Sequence, residues 1–237
     1  MREKESPQYT PVPLPDRRTL SDGQAIDATE SFHALMRQRH TVRDYSTRPV
    51  PEAVIANCIA AAGTAPSGAN QQPWHFVAVS DPALKAQIRA AAETEEEKFY
   101  DGGASEEWLA ALEPIGTASH KPHLTTAPWL IVIFAQRYGL DPDGNRRKHY
   151  YVPESVGIAT GMLITALHMA SLSCLTHTPN PMRFLNDLLQ RPENEKPVMI
   201  LAVGHPSVDA TVPAIAKIKK PLHEIMTVLR DGTKGKD

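Results

Sequence analysis

Three groups of residues have the types and spacing to do chemistry. Glu96 and Tyr100 lie four apart in a stretch of helical character, so they share one face. Together they offer a carboxylate for an ammonium and a phenol that can donate or accept a hydrogen bond. Lys121, in the same polar stretch, adds an ammonium for a carboxylate. A ligand with both charges, such as an α-amino acid, satisfies all three; unrelated surface residues on a polar insertion would give the same pattern. Arg39 and Arg43 form a second group, with Arg37 close by and Thr41 between them. Their planar forks suit a phosphate, although cations at a helix end also serve simply to offset its dipole. Lys217, Lys219 and Lys220 could join a phosphate site or remain solvated. The third group is Ser67-Gly68-Ala69, which has almost no side-chain bulk. A flat ligand could lie against its backbone and bond its N–H groups or the Ser67 hydroxyl.

The elements that must position these groups follow from periodicity. Residues 1–24 carry Pro7, Pro11, Pro13 and Pro15 and few large apolar groups, which predicts an extended arm. The domain proper, 25–237, begins with a helix whose apolar face is Phe32, Leu35 and Met36, with Thr29 as its expected N-cap. A second helix starts at Pro51-Glu52, buries Val54, Ile55, Cys58, Ile59 and Ala62, and exits at Gly63. The loop from Thr64 leads into a strand, Trp74–Val79, and Asp81-Pro82 opens a third helix with Leu84 and Ile88 inward. Glu93, Glu95, Glu96 and Glu97 crowd its end, and a like-charge pair such as Glu93–Glu97 disfavours a helix by roughly 0.2–0.5 kcal/mol. Residues 93–125 are therefore expected to be a lid-like excursion of low local stability. Order returns in an apolar strand, Trp129–Phe134, followed by an Asp141–Gly144 turn. The helix from Pro153 to Leu172 is apolar all round, so it must be buried all round, in part by a second subunit. Strands at 172–178 and 198–204 flank a helix near Met182–Leu189, and Ile225–Leu229 is an apolar tail. The alternation of helices and strands gives an α+β or α/β fold.

Composition narrows the function. A net charge of -2 offers nothing to a nucleic-acid polyanion or an acidic membrane. Cys58 and Cys174 lie in apolar runs, as buried free thiols of a reducing compartment do. The N-terminus has no apolar core of a signal peptide, and no stretch is long and apolar enough to span a bilayer, so a cytoplasmic protein is expected. His120 and His123 flank a proline with no clustered cysteine or acid nearby, which argues against a metal site. There is no Rossmann fingerprint, P-loop or nucleophile elbow.

The order of the motifs carries a family resemblance. Arg39-His40-Thr41-Val42-Arg43, then Gly63 to Ala69 with Pro73-Trp74, then Thr176-His177-Thr178-Pro179, then Lys219-Lys220-Pro221, resembles the FMN-dependent nitroreductase superfamily. Within it, Glu96, Tyr100 and Lys121 stand in the register of the lid residues of the iodotyrosine deiodinases, or halotyrosine dehalogenases. The likeness runs from about residue 30 to 229 and includes His149-Tyr150-Tyr151, Arg191 to Lys196 and Ala210-Thr211-Val212-Pro213.

The resemblance implies a central mixed sheet flanked by helices, an intertwined homodimer, and FMN at the subunit interface. It implies that Arg39, His40, Thr41 and Arg43 line the FMN phosphate and ring edge, with Ser67 and Gly68 reaching the flavin from the neighbouring subunit. Thr178 would bond flavin N5, with Thr176 and His177 nearby. Lys219 stands where the family usually has an arginine; it keeps the charge and loses the fork. His40 stands where animal members have a second arginine. Animal members also carry a membrane anchor where this chain has its Pro-rich arm, which implies a soluble form. The expected substrate is a halotyrosine zwitterion, with Glu96 on its ammonium, Tyr100 and Lys121 on its carboxylate, and the Ala69 N–H on its phenolate oxygen. The implied reaction is reductive dehalogenation to tyrosine and halide by one-electron steps, fed by an unidentified reductant or reductase. The alternative within the superfamily is an NAD(P)H-dependent nitroreductase or quinone reductase. A binding protein without turnover is the alternative outside it.

Overall fold

The computed structural model describes residues 9–230. The first eight residues of the expected arm, Pro7 among them, lie outside that range. The chain divides into a first unit ending at Gln38 and a second starting at Arg39.

The first unit contains helix α1 (Asp22–Arg37), which begins inside the stretch expected to be an arm. Ser21, not Thr29, is its N-cap. The Ser21 Oγ accepts from the Gln24 N–H at 3.3 Å, and Gln24 Oε1 accepts from the Ser21 N–H at 3.0 Å. This reciprocal capping box satisfies two N–H groups that the helix itself leaves free. Thr29 lies within the helix, where its hydroxyl donates back to the Ala25 carbonyl at 2.9 Å.

The second unit is built on a four-stranded sheet. Its strands are β1 (Trp74–Val79), β2 (Trp129–Gln136), β5 (Ser173–His177) and β6 (Glu195–Gly204), in the order β1-β2-β6-β5. A small hairpin, β3 (Tyr138–Leu140) with β4 (Arg146–Lys148), lies between β2 and β5 in the chain. Its turn is the expected Asp141–Gly144, where Gly144 takes φ 81° and Asp141 Oδ1 accepts from the Asp143 and Asn145 N–H groups. Helices α2 (Glu52–Gly63) and α6 (Val152–Met169) cover one face of the sheet. Helices α3 (Pro82–Lys98), α5 (His123–Thr126) and α7 (Phe184–Leu188) cover the other.

β2 explains why its sequence is uninterruptedly apolar. Ile131, Ile133 and Ala135 enter the core under α2 and α6, while Leu130, Val132 and Phe134 enter the core under α3 and α7. A strand buried on both faces has no solvent side to be polar. Within the single chain α6 is enclosed on one side. Val156, Ala159, Leu163 and Leu167 are buried, but Gly157, Ile158, Gly161 and Met169 are exposed.

The sheet is not mixed. All its named strands pair antiparallel, and the only parallel pairing among the described residues is an isolated bridge from Thr41 to Cys174. The reason lies in the long β1–β2 connection. Asp81 caps α3, its Oδ1 accepting from the Leu84 N–H at 2.7 Å, so the helix starts just where β1 ends. One turn in, the buried Lys85 Nζ donates to the Ala127 carbonyl at 2.7 Å. The excursion therefore returns the chain to the end of β1 that it left, and β2 has to run back along it, pairing Val79 with Leu130.

The excursion is more ordered than its composition suggests. A π-helical turn, Phe99–Gly103, is followed by α4 (Glu106–Leu112), with Ser105 as N-cap, and by the short turn Glu113–Ile115. The glutamate crowding is offset by partners. Glu93 bonds Arg89 at 2.9 Å and the Lys121 N–H at 2.6 Å, and Glu95 pairs with Lys98 at 2.8 Å. Of the four glutamates only Glu97 is exposed. No helix among the described residues is long and apolar enough to cross a membrane.

Candidate active site

A cavity of about 520 Å³ opens between the excursion, the end of β5 and the segment before α2. The α3 helix supplies Glu96 and the turn after it supplies Tyr100, four residues on and therefore on the same face. Lys121 arrives from the far end of the excursion, fixed by the bond from its own N–H to Glu93. The three residues expected to act together thus line one cavity, but Glu96 and Lys121 first engage each other. Lys121 Nζ lies 2.9 Å from Glu96 Oε2, with side chains only 5% and 14% exposed. Thr117 completes the cluster. Its Oγ1 accepts from Lys121 Nζ at 3.1 Å, and its carbonyl accepts from the Tyr100 hydroxyl at 3.2 Å.

The opposite wall is the end of β5. Thr176 and Thr178 are exposed and line the cavity, and His177, between them, is buried. Strand alternation accounts for this, since neighbouring residues point to opposite faces. The bridge from Thr41 to Cys174 is parallel, so Arg43 comes alongside Thr176, and it too lines the cavity. Arg39 to Arg43 is accordingly a non-helical segment laid beside β5, not a helix end.

A second cluster forms at the other end of that segment. The pKa of His40 is lowered by burial and then by Arg39, Lys219, Lys217 and His168, the first three of them cationic side chains. Arg39 also acts on Cys174, although burial dominates there and pushes the thiol up to about 11. From Cys174 to His177 the strand advances about 10 Å at roughly 3.3 Å per residue. The cationic cluster and the lid cavity therefore mark the two ends of β5.

The loop of Ser67, Gly68 and Ala69 is not among the residues that line this cavity. Its shape differs from the sequence expectation. The missing side chain of Gly68 makes room for the protein itself, because a Cβ there would come 2.6 Å from the Tyr150 carbonyl oxygen. Ser67 Oγ accepts from the Gln72 N–H at 2.9 Å. Ala69, Asn70 and Gln72 all have positive φ, near 50°.

Several residues of the cavity, Thr117 among them, were not singled out in the sequence. Phe99 and Trp108 stack edge-to-face at 4.9 Å and, with Leu112 and Ile115, give the excursion an apolar inner wall. Aromatics in an otherwise polar insertion were the available signal. A further feature involves His177, which also lines the cavity. His123 and His177 pack edge-to-face at 5.7 Å, both buried, and neither Nε2 has a hydrogen-bond partner among the described residues. His177 Nε2 is 3.9 Å from Glu96 Oε1, too far for a hydrogen bond. Burial and then the Lys121 ammonium lower His177 to about 3 and His123 to about 4, so both are neutral near pH 7. Nothing in the spacing of residues 54 apart could have disclosed this pair.

Comparison with known proteins gives a consistent result. A family model described as the nitroreductase family matches residues 36–205. The chain is 51% identical to an iodotyrosine deiodinase of Haliscomenobacter hydrossis over 197 residues, which is 83% of this chain and 89% of that protein. It is 42% identical to an iodotyrosine deiodinase of Nematostella vectensis over 226 residues, 95% of this chain and 84% of that protein. Among solved structures, a crystal structure of oxidized iodotyrosine deiodinase bound to FMN and 3-iodo-L-tyrosine matches with a TM-score of 0.69 at 30% identity, covering 86% of this chain and all of that one.

Proposed function

The chain belongs to the nitroreductase family, and we propose that it carries out the FMN-dependent reductive deiodination of iodotyrosine. The observation that carries this reading is the buried Glu96–Lys121 pair beside Tyr100, in a cavity whose far wall is Thr176 and Thr178. A carboxylate and an ammonium held side by side are the complement of an α-amino acid's own ammonium and carboxylate. Identity of 51% to an iodotyrosine deiodinase over most of both chains supports the same substrate.

The residues present fit FMN. Arg39, Lys217 and Lys219 act together on His40, and such a cationic cluster is suited to a phosphate. Arg39, His40 and Lys219 would hold the phosphate. Arg43 and Thr41, beside β5, would lie along the ring edge, and the exposed Thr178 hydroxyl would bond flavin N5, with Thr176 and His177 adjacent. Ser67 and Gly68 would reach the flavin from a second copy of the chain. A homodimer is supported by exposed apolar groups, among them Ile158 and Met169 on α6 and Leu222, Ile225 and Leu229 near the C-terminus.

When bound and reduced, FMN would supply the two electrons that the reaction needs, one at a time, and the flavin would carry the redox chemistry. Iodotyrosine takes up those electrons and one proton to give tyrosine and iodide. The chain's own work is to bind and orient. Glu96 exchanges Lys121 for the substrate ammonium, and Lys121 and Tyr100 turn to the substrate carboxylate. The Ala69 N–H meets the phenolate oxygen. Closure of Phe99, Trp108, Leu112 and Ile115 over the ring excludes water and strengthens each polar contact.

The test is direct. The purified protein should contain FMN or take it up, iodotyrosine should quench the flavin fluorescence, and the reduced protein should release iodide. A protein that cannot be loaded with FMN, or one that oxidises NAD(P)H on a nitroarene while ignoring iodotyrosine, overturns the reading.

A further inference from the structure

Glu96 has one oxygen to spare. Lys121 Nζ takes Oε2 at 2.9 Å, and Oε1 accepts no hydrogen bond among the described residues. The imidazole that faces it is also short of a partner. His177 Nε2 stands 3.9 Å from Glu96 Oε1 and is itself unbonded among the described residues, in a side chain only 6% exposed. Two polar atoms without partners, both withdrawn from water, thus confront each other about 1 Å beyond the usual hydrogen-bond length. The nearer polar groups are already engaged. The Tyr100 hydroxyl donates to the Thr117 carbonyl, and Thr117 Oγ1 accepts from Lys121.

The two residues differ in freedom. His177 ends β5, where its backbone pairs with Ile200 of β6, and its ring is held edge-to-face against the buried His123. Glu96 belongs to the last turn of α3, at the root of the excursion, and its carboxylate is held through Lys121. Ligand binding changes that hold. In the proposed exchange Lys121 leaves Glu96 for the substrate carboxylate, and the Glu96 side chain is free to cross the missing distance to β5. A carboxylate that stays charged away from water needs more than one donor. The substrate ammonium is one, and a neutral imidazole protonated on Nε2 is the second.

We infer that His177 is a positioning residue: its Nε2–H takes Glu96 Oε1 once Lys121 has turned away, and so holds the carboxylate against the substrate ammonium. The inference rests on the proposed halotyrosine function and adds the group that steadies Glu96 during binding. The bond also ties the root of the excursion to the end of the sheet, so it belongs to the ligand-bound state and favours it over the free one. A hydrogen bond to a charged group, made only in the complex, should strengthen 3-iodotyrosine binding by about tenfold or more.

The experiment uses protein kept saturated with FMN and follows 3-iodotyrosine binding by quenching of flavin fluorescence. His177→Leu, close in size to the imidazole but without a donor, should bind about tenfold or more weakly. His177→Gln places an amide N–H near the position of Nε2 and should bind within about threefold of wild type. Should His177→Leu fail to fold, His177→Phe also lacks the donor and keeps a ring against His123. The same loss is then measured in Glu96→Gln protein, where the acceptor is a neutral amide. Removing the donor there should cost less than about threefold, because the two residues act as a pair. A loss of equal size in both backgrounds marks His177 as merely structural and overturns the inference. Undiminished binding without the donor also overturns it, as does a glutamine variant as weak as the leucine one. No binding of 3-iodotyrosine by the wild type sinks the halotyrosine reading itself.

Discussion

Lys121 Nζ lies 2.9 Å from Glu96 Oε2, and both side chains are largely withdrawn from water. The two charges that would greet a zwitterion are thus already paired with each other. A ligand with both charges can replace the pair group for group and leave nothing stranded. A ligand with one charge cannot, since it engages one partner and leaves the other buried alone. Stranding one member of a buried pair costs about 3–5 kcal/mol, less where the lid opens to let water in. 3-Iodotyramine, which lacks the carboxylate, and the deaminated iodophenyl propionate should therefore each bind at least about tenfold more weakly than 3-iodotyrosine. Flavin fluorescence titration of all three checks this. Binding of either analogue within threefold of the amino acid would show that the pair is not exchanged.

The Glu96→Gln substitution separates lid from cofactor. The amide keeps the size of the side chain but loses the charge for the substrate ammonium and for Lys121. A charge-assisted hydrogen bond contributes about 1.5–3 kcal/mol, which is a loss of about tenfold or more in halotyrosine affinity. FMN content should remain at the wild-type level, because the cationic cluster around His40 lies at the other end of β5. Unchanged quenching by iodotyrosine in this variant removes Glu96 from the site.

The buried histidine pair sets a pH limit on stability. Burial, followed by Lys121, holds His177 near 3 and His123 near 4, well below the 6.5 of an exposed imidazole. Between those values the unfolded chain takes up protons that the folded chain refuses. Stability is therefore undiminished above about pH 6.5 and falls as pH drops through the folded values, levelling off only below them. Urea midpoints measured on FMN-loaded protein should decline from pH 6.5 downwards. His123→Phe, which keeps an aromatic ring against His177, should make that decline shallower. An equally steep decline in the variant would falsify the assignment to this pair.

Local signals in the sequence translated well into structure. Pro51 and Gly63 bracket α2, Asp81 caps α3, and Trp74–Val79 is a strand over the expected residues. The face shared by Glu96 and Tyr100 follows from a spacing of four. The capping box at Ser21 and Gln24 was present as a Ser-x-x-Gln pattern, but the apolar face from Phe32 drew the expected start towards Thr29. Features made by distant residues were not legible locally. Lys121 and Glu96 could be read as complementary charges for one ligand but not as each other's partners, and the His123–His177 contact had no local signal at all. Gly68 illustrates a different limit. Its small size was visible, but whether the space served a ligand or the Tyr150 carbonyl depended on a residue 82 positions away. The antiparallel sheet was hidden for the same reason, since alternating helices and strands suggest crossovers until one knows where the excursion returns.

Lys85 decides where the excursion returns, which makes it a test of how the lid is anchored. Its ammonium is buried in the first turns of α3, and burial lowers its pKa in spite of the nearby Asp81. Nζ donates to the Ala127 carbonyl at 2.7 Å, with the Thr125 and Pro128 carbonyls at 3.4 Å. Those carbonyls belong to the end of α5 and the entry to β2, and no backbone N–H is available to all three at once. Lys85→Met keeps the apolar stem and removes the donor. Leaving a buried carbonyl unsatisfied costs about 1–3 kcal/mol, so the urea midpoint should fall measurably. The loss should also be felt in the cavity, because Lys121 stands just ahead of α5 and depends on it for position. Weaker 3-iodotyrosine binding with FMN content unchanged is the expected companion result. A variant as stable as wild type with undiminished binding would mean that Glu93 and Arg89 alone anchor the lid.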